Sequence, residues 1–184
     1  MPSFAADYAR DGFAVAQGLL PPDLAADIRA DLHTLVRLQL SAAGGGPVGR
    51  LGDDMVALVQ ADPKRYLAAL RRGAKLLRVH RMLTEPAIAT TLQGLGLSFL
   101  TVCSEPVFHV VGDRVRIPGG YVGFSAHQDW PSIQGSLDCV VVWAPLIEIG
   151  PENFPLQVVP GSHLLGHVEA EITQHVAKVP ETVC

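Results

Sequence analysis

The chain changes its residue pattern near Gly96, and that change limits its possible folds more than any other feature. Across residues 21–40, apolar side chains fall at Leu24, Ile28, Leu32 and Leu35, with prolines at the start and "GGGP" beyond the end. This spacing lines one face of a helix. Further helices follow: Asp53 is placed to cap "DMVALVQA", "DPKRYLAALRR" opens with Asp62 and Pro63, and Thr84-Glu85-Pro86 opens a helix that stops at Gly94. Beyond Gly96 come the β-rich runs "LSFLTVCS", "PVFHVVG", "DRVRI", "DCVVVWAPLIE" and "PLQVVPGS", separated by Gly, Pro, Asn and Asp. The pattern predicts an α+β chain, mainly helical over 1–96 and mainly β over 97–184. Strands so closely spaced suit a sandwich or jelly roll better than βαβ units, and no phosphate-binding glycine loop follows any of them. "SAAGGGPVG" reads as a loop inside the helical layer.

Length and charge narrow the function classes. At 184 residues and 48% hydrophobic, the chain can bury a sizeable core as one domain. Its 14 basic and 18 acidic residues leave a net charge of −4, so no positive field is available to hold a phosphate backbone and nucleic acid is not an expected partner. The N-terminal "MPSFAADYAR" carries an acid and lacks an apolar core, and no run approaches the roughly 18 apolar residues of a membrane helix, so the expectation is a cytoplasmic protein away from membranes. The three cysteines, Cys103, Cys139 and Cys184, are odd in number and far apart, which predicts small apolar residues rather than a disulfide framework or a CxxC site.

The stretch "SAHQDWPS" carries the chemistry. On a strand, residues two apart share a face, so His127 and Asp129 point together while Gln128 points away. An imidazole and a carboxylate on one face suit a divalent first-row metal, and a third ligand would complete a facial triad with open positions for oxygen chemistry. No Ser/His/Asp or Cys/His arrangement competes for a nucleophilic role, so no catalytic residue is expected beyond the metal ligands.

The order "AHQDWP", then "GSLDCVVVWAPL", a Pro/Glu/Asn turn and "LQVVPGSHLLG", resembles the phytanoyl-CoA dioxygenase family of iron(II)- and 2-oxoglutarate-dependent oxygenases. The N-terminal "YARDGFAVAQGLLPPDLAADIRADL" is similar to that family's opening strand and helix. The resemblance implies a double-stranded β-helix, a cupin-like jelly roll, with His127 and Asp129 binding Fe(II) near its mouth. It also implies the reaction: 2-oxoglutarate is decarboxylated to succinate while a C–H bond of a small-molecule substrate is hydroxylated. In the family, a distal iron-binding histidine and an arginine for the far carboxylate of 2-oxoglutarate lie well beyond the "PGSH" turn. Here no arginine follows Arg116 and the sequence closes at Cys184, so the expected jelly roll is incomplete at its C-terminal side. Unpaired edges of such a sheet would favour a homodimer. The rival reading is a non-catalytic interaction protein of the same fold.

Other residues carry paired expectations. Trp143 either walls the co-substrate pocket, as an aromatic does there in the resembling family, or packs in the core. Tyr121 and Arg116 either meet a carboxylate of the co-substrate or substrate, or lie on the surface. Gln128, Trp130 and Gln134 are assigned to the substrate side, with surface turns as the alternative for the last two. His109 reads as a satisfied strand histidine, His163 as structural, and His167 and His175 as surface residues. The basic group from Lys64 to Arg81 reads as a solvated helix face before an anionic-substrate site. Asn153 is expected to take a left-handed turn conformation.

Overall fold

The computed structural model describes residues 4–117, 126–133, 135–136, 138–168, 171–173 and 176–178. Six helices fill the first half: α1 (Phe4–Asp11), α2 (Pro22–Ala42), α3 (Leu51–Ala61), α4 (Pro63–Gly73), α5 (Leu77–Leu83) and α6 (Pro86–Gly94). A short α7 (Trp130–Ile133) follows in the second half, with an antiparallel pair, β1 (Glu171–Thr173) and β2 (Val176–Lys178), in the register Ile172 opposite Ala177.

Helix α2 is the axis of the molecule. Its buried stripe is Leu24, Ile28, Leu32, Val36 and Leu40, an uninterrupted i, i+4 row. The sequence reading had placed Leu35 in this row. Leu35 is only partly buried, and Val36, fully buried, occupies the core position, because a four-residue step keeps the row aimed at α3 and α4. Leu32, Val36 and Leu40 pack with Met55, Leu58 and Val59 of α3 and with Tyr66 and Ala69 of α4. Each such aliphatic side chain contributes about 2 kcal/mol by leaving water. Burial of Tyr66 pushes its hydroxyl up to about 12. A second, smaller cluster joins Leu24 and Ile28 to Val79 of α5.

Helix starts follow local chemistry. Asp62 caps α4, its Oδ1 accepting the amides of Lys64 at 3.0 Å and Arg65 at 3.1 Å, with Pro63 in the first turn. For α3 the expected cap is corrected. The helix begins at Leu51, ahead of Asp53, and Asp54 takes backbone amides instead. Asp54 is wholly buried, and its Oδ1 accepts from Val48 at 2.6 Å and Gly49 at 3.0 Å. Its Oδ2 meets Arg37 Nε at 2.8 Å and His33 Nε2 at 2.7 Å. One carboxylate therefore pins the glycine-rich loop 43–50 to α2. Burial pushes its pKa up, but Arg37, the two amides and His33 overcome that and hold the carboxyl well below its ordinary value.

The second half lies on this helical layer. Phe108 touches both clusters, and Val110, Val115 and Ile117 pack on the larger one. At Gly73 a Cβ would come within 3.0 Å of Leu32 and 3.1 Å of the Phe108 ring, so the missing side chain admits Phe108. Arg29 of α2 donates to the Leu146 carbonyl, and Leu146 packs on the smaller cluster. The five β-rich runs expected as strands carry no ladder pairing among the described residues. β-branched composition favours a strand only where a neighbour supplies cross-strand contacts, and composition alone does not identify that neighbour. Asn153 is also corrected. It lies in the 3-10 turn Pro151–Asn153 and its side chain donates to the Glu148 carbonyl at 2.9 Å, while Phe154 takes the left-handed backbone, at φ 52°.

Candidate metal centre

Residues 126–133 place the candidate ligands at the start of a helix. His127 sits in an isolated bridge, Asp129 immediately precedes α7, and the Asp129 carbonyl accepts the Ile133 amide at 3.1 Å. His127 Nε2 lies 3.1 Å from Asp129 Oδ1, and the side chains are 23% and 47% exposed. The strand expected at the tripeptide is not among the described elements; His127 and Asp129 approach one another ahead of α7 while Gln128 is committed elsewhere. Gln128 Nε2 donates to the Gly166 carbonyl at 2.8 Å, and its Oε1 accepts the Val168 amide at 3.0 Å. One side-chain amide thus mimics a strand neighbour and fastens residues 166–168 beside the pair. Trp130 extends the same contact, its ring meeting His167 edge to face at 5.7 Å and 74°.

The pair fits a divalent ion. The two are at hydrogen-bonding distance, and imidazole with carboxylate is a donor set that would suit a first-row metal. Among the described residues no group of three or more His, Cys, Asp or Glu side chains gathers in a metal-binding arrangement. His109 enters the surroundings. It is half-buried, and burial pushes its pKa down, with Asp129 opposing and His127 adding to the shift. Its imidazole lies within electrostatic reach of both candidate ligands, a placement that reading it as a strand histidine did not supply.

The remaining sequence candidates are dispersed. Arg116 pairs with Asp113 at 2.7 Å beside the 3-10 turn Asp113–Val115, and its side chain is mostly exposed. Trp143 is 43% exposed in the run that follows Cys139. Tyr121, Gln134 and His175 lie outside the described residues. His163 packs as expected of a structural residue: its Nε2 lies 3.1 Å from the Ala9 carbonyl, and its ring fills the space in front of Gly12. The basic helix face is largely neutralised, with Arg78 bound to Asp27 and Asp31, Arg81 to Glu85, Arg65 to Asp62 and Lys75 to Glu105. No helix among the described residues is long and apolar enough to cross a membrane.

The contacts missed entirely at the sequence level are those of the cysteines. Cys103 and Cys139, 36 residues apart in the chain, face one another across Gly135. Sequence separation gave no signal for this, because the approach is a tertiary contact between distant residues.

Comparison with known families gives one match: the family model described as phytanoyl-CoA dioxygenase (PhyH) covers residues 8–179. No curated protein and no solved structure gives a significant match.

Proposed function

Because the chain belongs to the phytanoyl-CoA dioxygenase family, we propose that it is an iron(II)- and 2-oxoglutarate-dependent oxygenase hydroxylating a small molecule, with His127 and Asp129 as two ligands of the metal. The observation that carries this reading is the 3.1 Å approach of His127 Nε2 to Asp129 Oδ1, on the tripeptide where the family resemblance is strongest. The proposal includes a jelly-roll core, to which the β-rich runs of residues 97–160 would belong.

When bound, iron(II) with 2-oxoglutarate and oxygen supplies the oxidising chemistry, giving succinate, carbon dioxide and a hydroxylated product. The protein's own residues hold and shape. His127 offers a nitrogen and Asp129 an anionic oxygen. Gln128 ties the backbone between them to residues 166 and 168 by its two bonds. Trp130 and His167 form one wall beside the pair. His109 lies within electrostatic reach of both candidate ligands, with its pKa lowered chiefly by burial. Trp143 is proposed as a wall of the co-substrate pocket. Arg116 is proposed as a carboxylate partner, a role that requires exchanging Asp113 for the ligand.

Anaerobic addition of iron(II) and then 2-oxoglutarate tests the reading. A visible metal-to-ligand charge-transfer band is expected in the wild-type chain and absent in Asp129→Ala, with succinate formed only by the former once oxygen is admitted. If saturating iron(II) and 2-oxoglutarate give no band in the wild-type chain, the oxygenase assignment fails and family membership speaks for ancestry alone.

A further inference from the structure

Within electrostatic reach of Asp129, two cysteines from distant parts of the chain approach one another. The Cys103 and Cys139 thiols are both free, and both border Gly135. Gly135 makes this possible. A Cβ built there would stand 3.0 Å from Cys103 Sγ and 3.7 Å from Cys139 Sγ, so both sulfurs border the space that a side chain would occupy. Cys103 is exposed and Cys139 partly buried. From this geometry we infer that Cys103 and Cys139 form a peroxide-reactive dithiol site, which closes to an intramolecular disulfide beside Asp129.

The order of events follows from exposure. Cys103 is the residue a peroxide can reach, and its thiolate attacks one oxygen of hydrogen peroxide. The O–O bond breaks, hydroxide leaves and takes a proton to become water, and Cys103 becomes a sulfenic acid. Cys139 Sγ then attacks the sulfenic sulfur. An S–S bond forms, the S–O bond breaks, and the thiol proton departs with the hydroxyl as a second water. In total two thiols and one peroxide give one disulfide and two waters. Burial, then Cys103 and Asp129, push the Cys139 thiol up, which suits it to the second step, where it meets an already activated sulfur, and not to the first. The Tyr8 hydroxyl of α1 lies within electrostatic reach of Cys139, so the bond would form where α1 approaches the second half.

Trypsin resolves the question because each cysteine falls in its own peptide: Cys103 in 82–114, Cys139 in 117–178 and Cys184 in 179–184. After one equivalent of hydrogen peroxide, thiol titration should fall from three groups per chain to one and return to three with dithiothreitol. Mass spectrometry should show 82–114 joined to 117–178, lighter by two hydrogens than their sum, with 179–184 still alkylated. Chains mixed with isotope-labelled copies should show the link within a chain. Gly135→Val, which fills the space bordering both sulfurs, should slow linkage by roughly tenfold. The inference is overturned if 82–114 and 117–178 stay separate and alkylated, if the main link involves 179–184 or a second chain, or if Gly135→Val links as fast as wild type.

Discussion

Removing the Asp54 carboxylate should destabilise the helical layer more than removing either of the side chains bound to it, Arg37 or His33. Its two oxygens divide the work: Oδ1 serves the Val48 and Gly49 amides, and Oδ2 serves Arg37 and His33. In Asp54→Ala all four donors lose their acceptor. A lost amide bond costs about 1 kcal/mol and a charge-assisted one about 1.5–3 kcal/mol. The side chains of Arg37 and His33 are 44% and 22% exposed, so both can recover part of that loss from water, whereas the loop amides recover less. The sum comes to about 3–4 kcal/mol, or roughly 10 °C in melting temperature for a chain of this size. Asp54→Asn keeps one oxygen for the loop amides and should cost about 2 kcal/mol, while Arg37→Ala, whose loss leaves Asp54 with three donors, should cost about 1–2 kcal/mol. Urea unfolding followed by circular dichroism at pH 7 measures all three. The reasoning is refuted if Asp54→Ala lies within 1 kcal/mol of wild type, or if Arg37→Ala costs as much as Asp54→Ala.

The same carboxylate predicts an acid limb. Its pKa is depressed on folding, so the unfolded chain takes up the proton more readily, and the stabilisation present above about pH 4 declines as the pH drops below it. The melting-temperature gap between wild type and Asp54→Asn should narrow between about pH 4 and pH 2.5, and a constant gap would contradict this. Gly12→Ala should destabilise by about 2 kcal/mol, since Gly12 has φ 81° and a Cβ would stand 2.4 Å from His163 Nδ1. Adding His163→Ala should relieve the clash but not the backbone strain, giving partial recovery in thermal melts. Gln128→Ala should speed hydrogen exchange at the Val168 amide by roughly an order of magnitude, as expected for about 1.4 kcal/mol of lost protection, and unchanged exchange would show that the side-chain clamp does not hold residues 166–168.

Local signals were the legible ones. Asp62-Pro63 marked the start of α4, and Pro86 and Gly94 bound α6 in sequence and structure alike. The H-x-D tripeptide stood out because a two-residue spacing and the family resemblance both pointed to it. What escaped reading depended on tertiary contacts. Val36 displaced Leu35 in the core because α3 and α4 decide which face of α2 is covered. Asp54 replaced Asp53 because the acceptor had to lie where loop 43–50 folds back, and nothing in the local string gives that direction. The clamp from Gln128 to residues 166–168 spans about 40 positions, and the Cys103–Cys139 approach brings together residues 36 positions apart. Such contacts carry no periodicity.

The bond from His163 to Ala9 joins residues 154 positions apart, and the Asp11 carbonyl also accepts the Gly161 amide at 2.8 Å. Closing a loop of that size costs about 4.5 kcal/mol of chain entropy beyond a constant. Helix α1 has eight residues and buries none of them, so by itself it is below the length at which a helix persists in water. During synthesis, then, α1 would emerge about 150 residues ahead of its partners and settle late, remaining available to proteases and chaperones until residues 161–163 emerge to receive it.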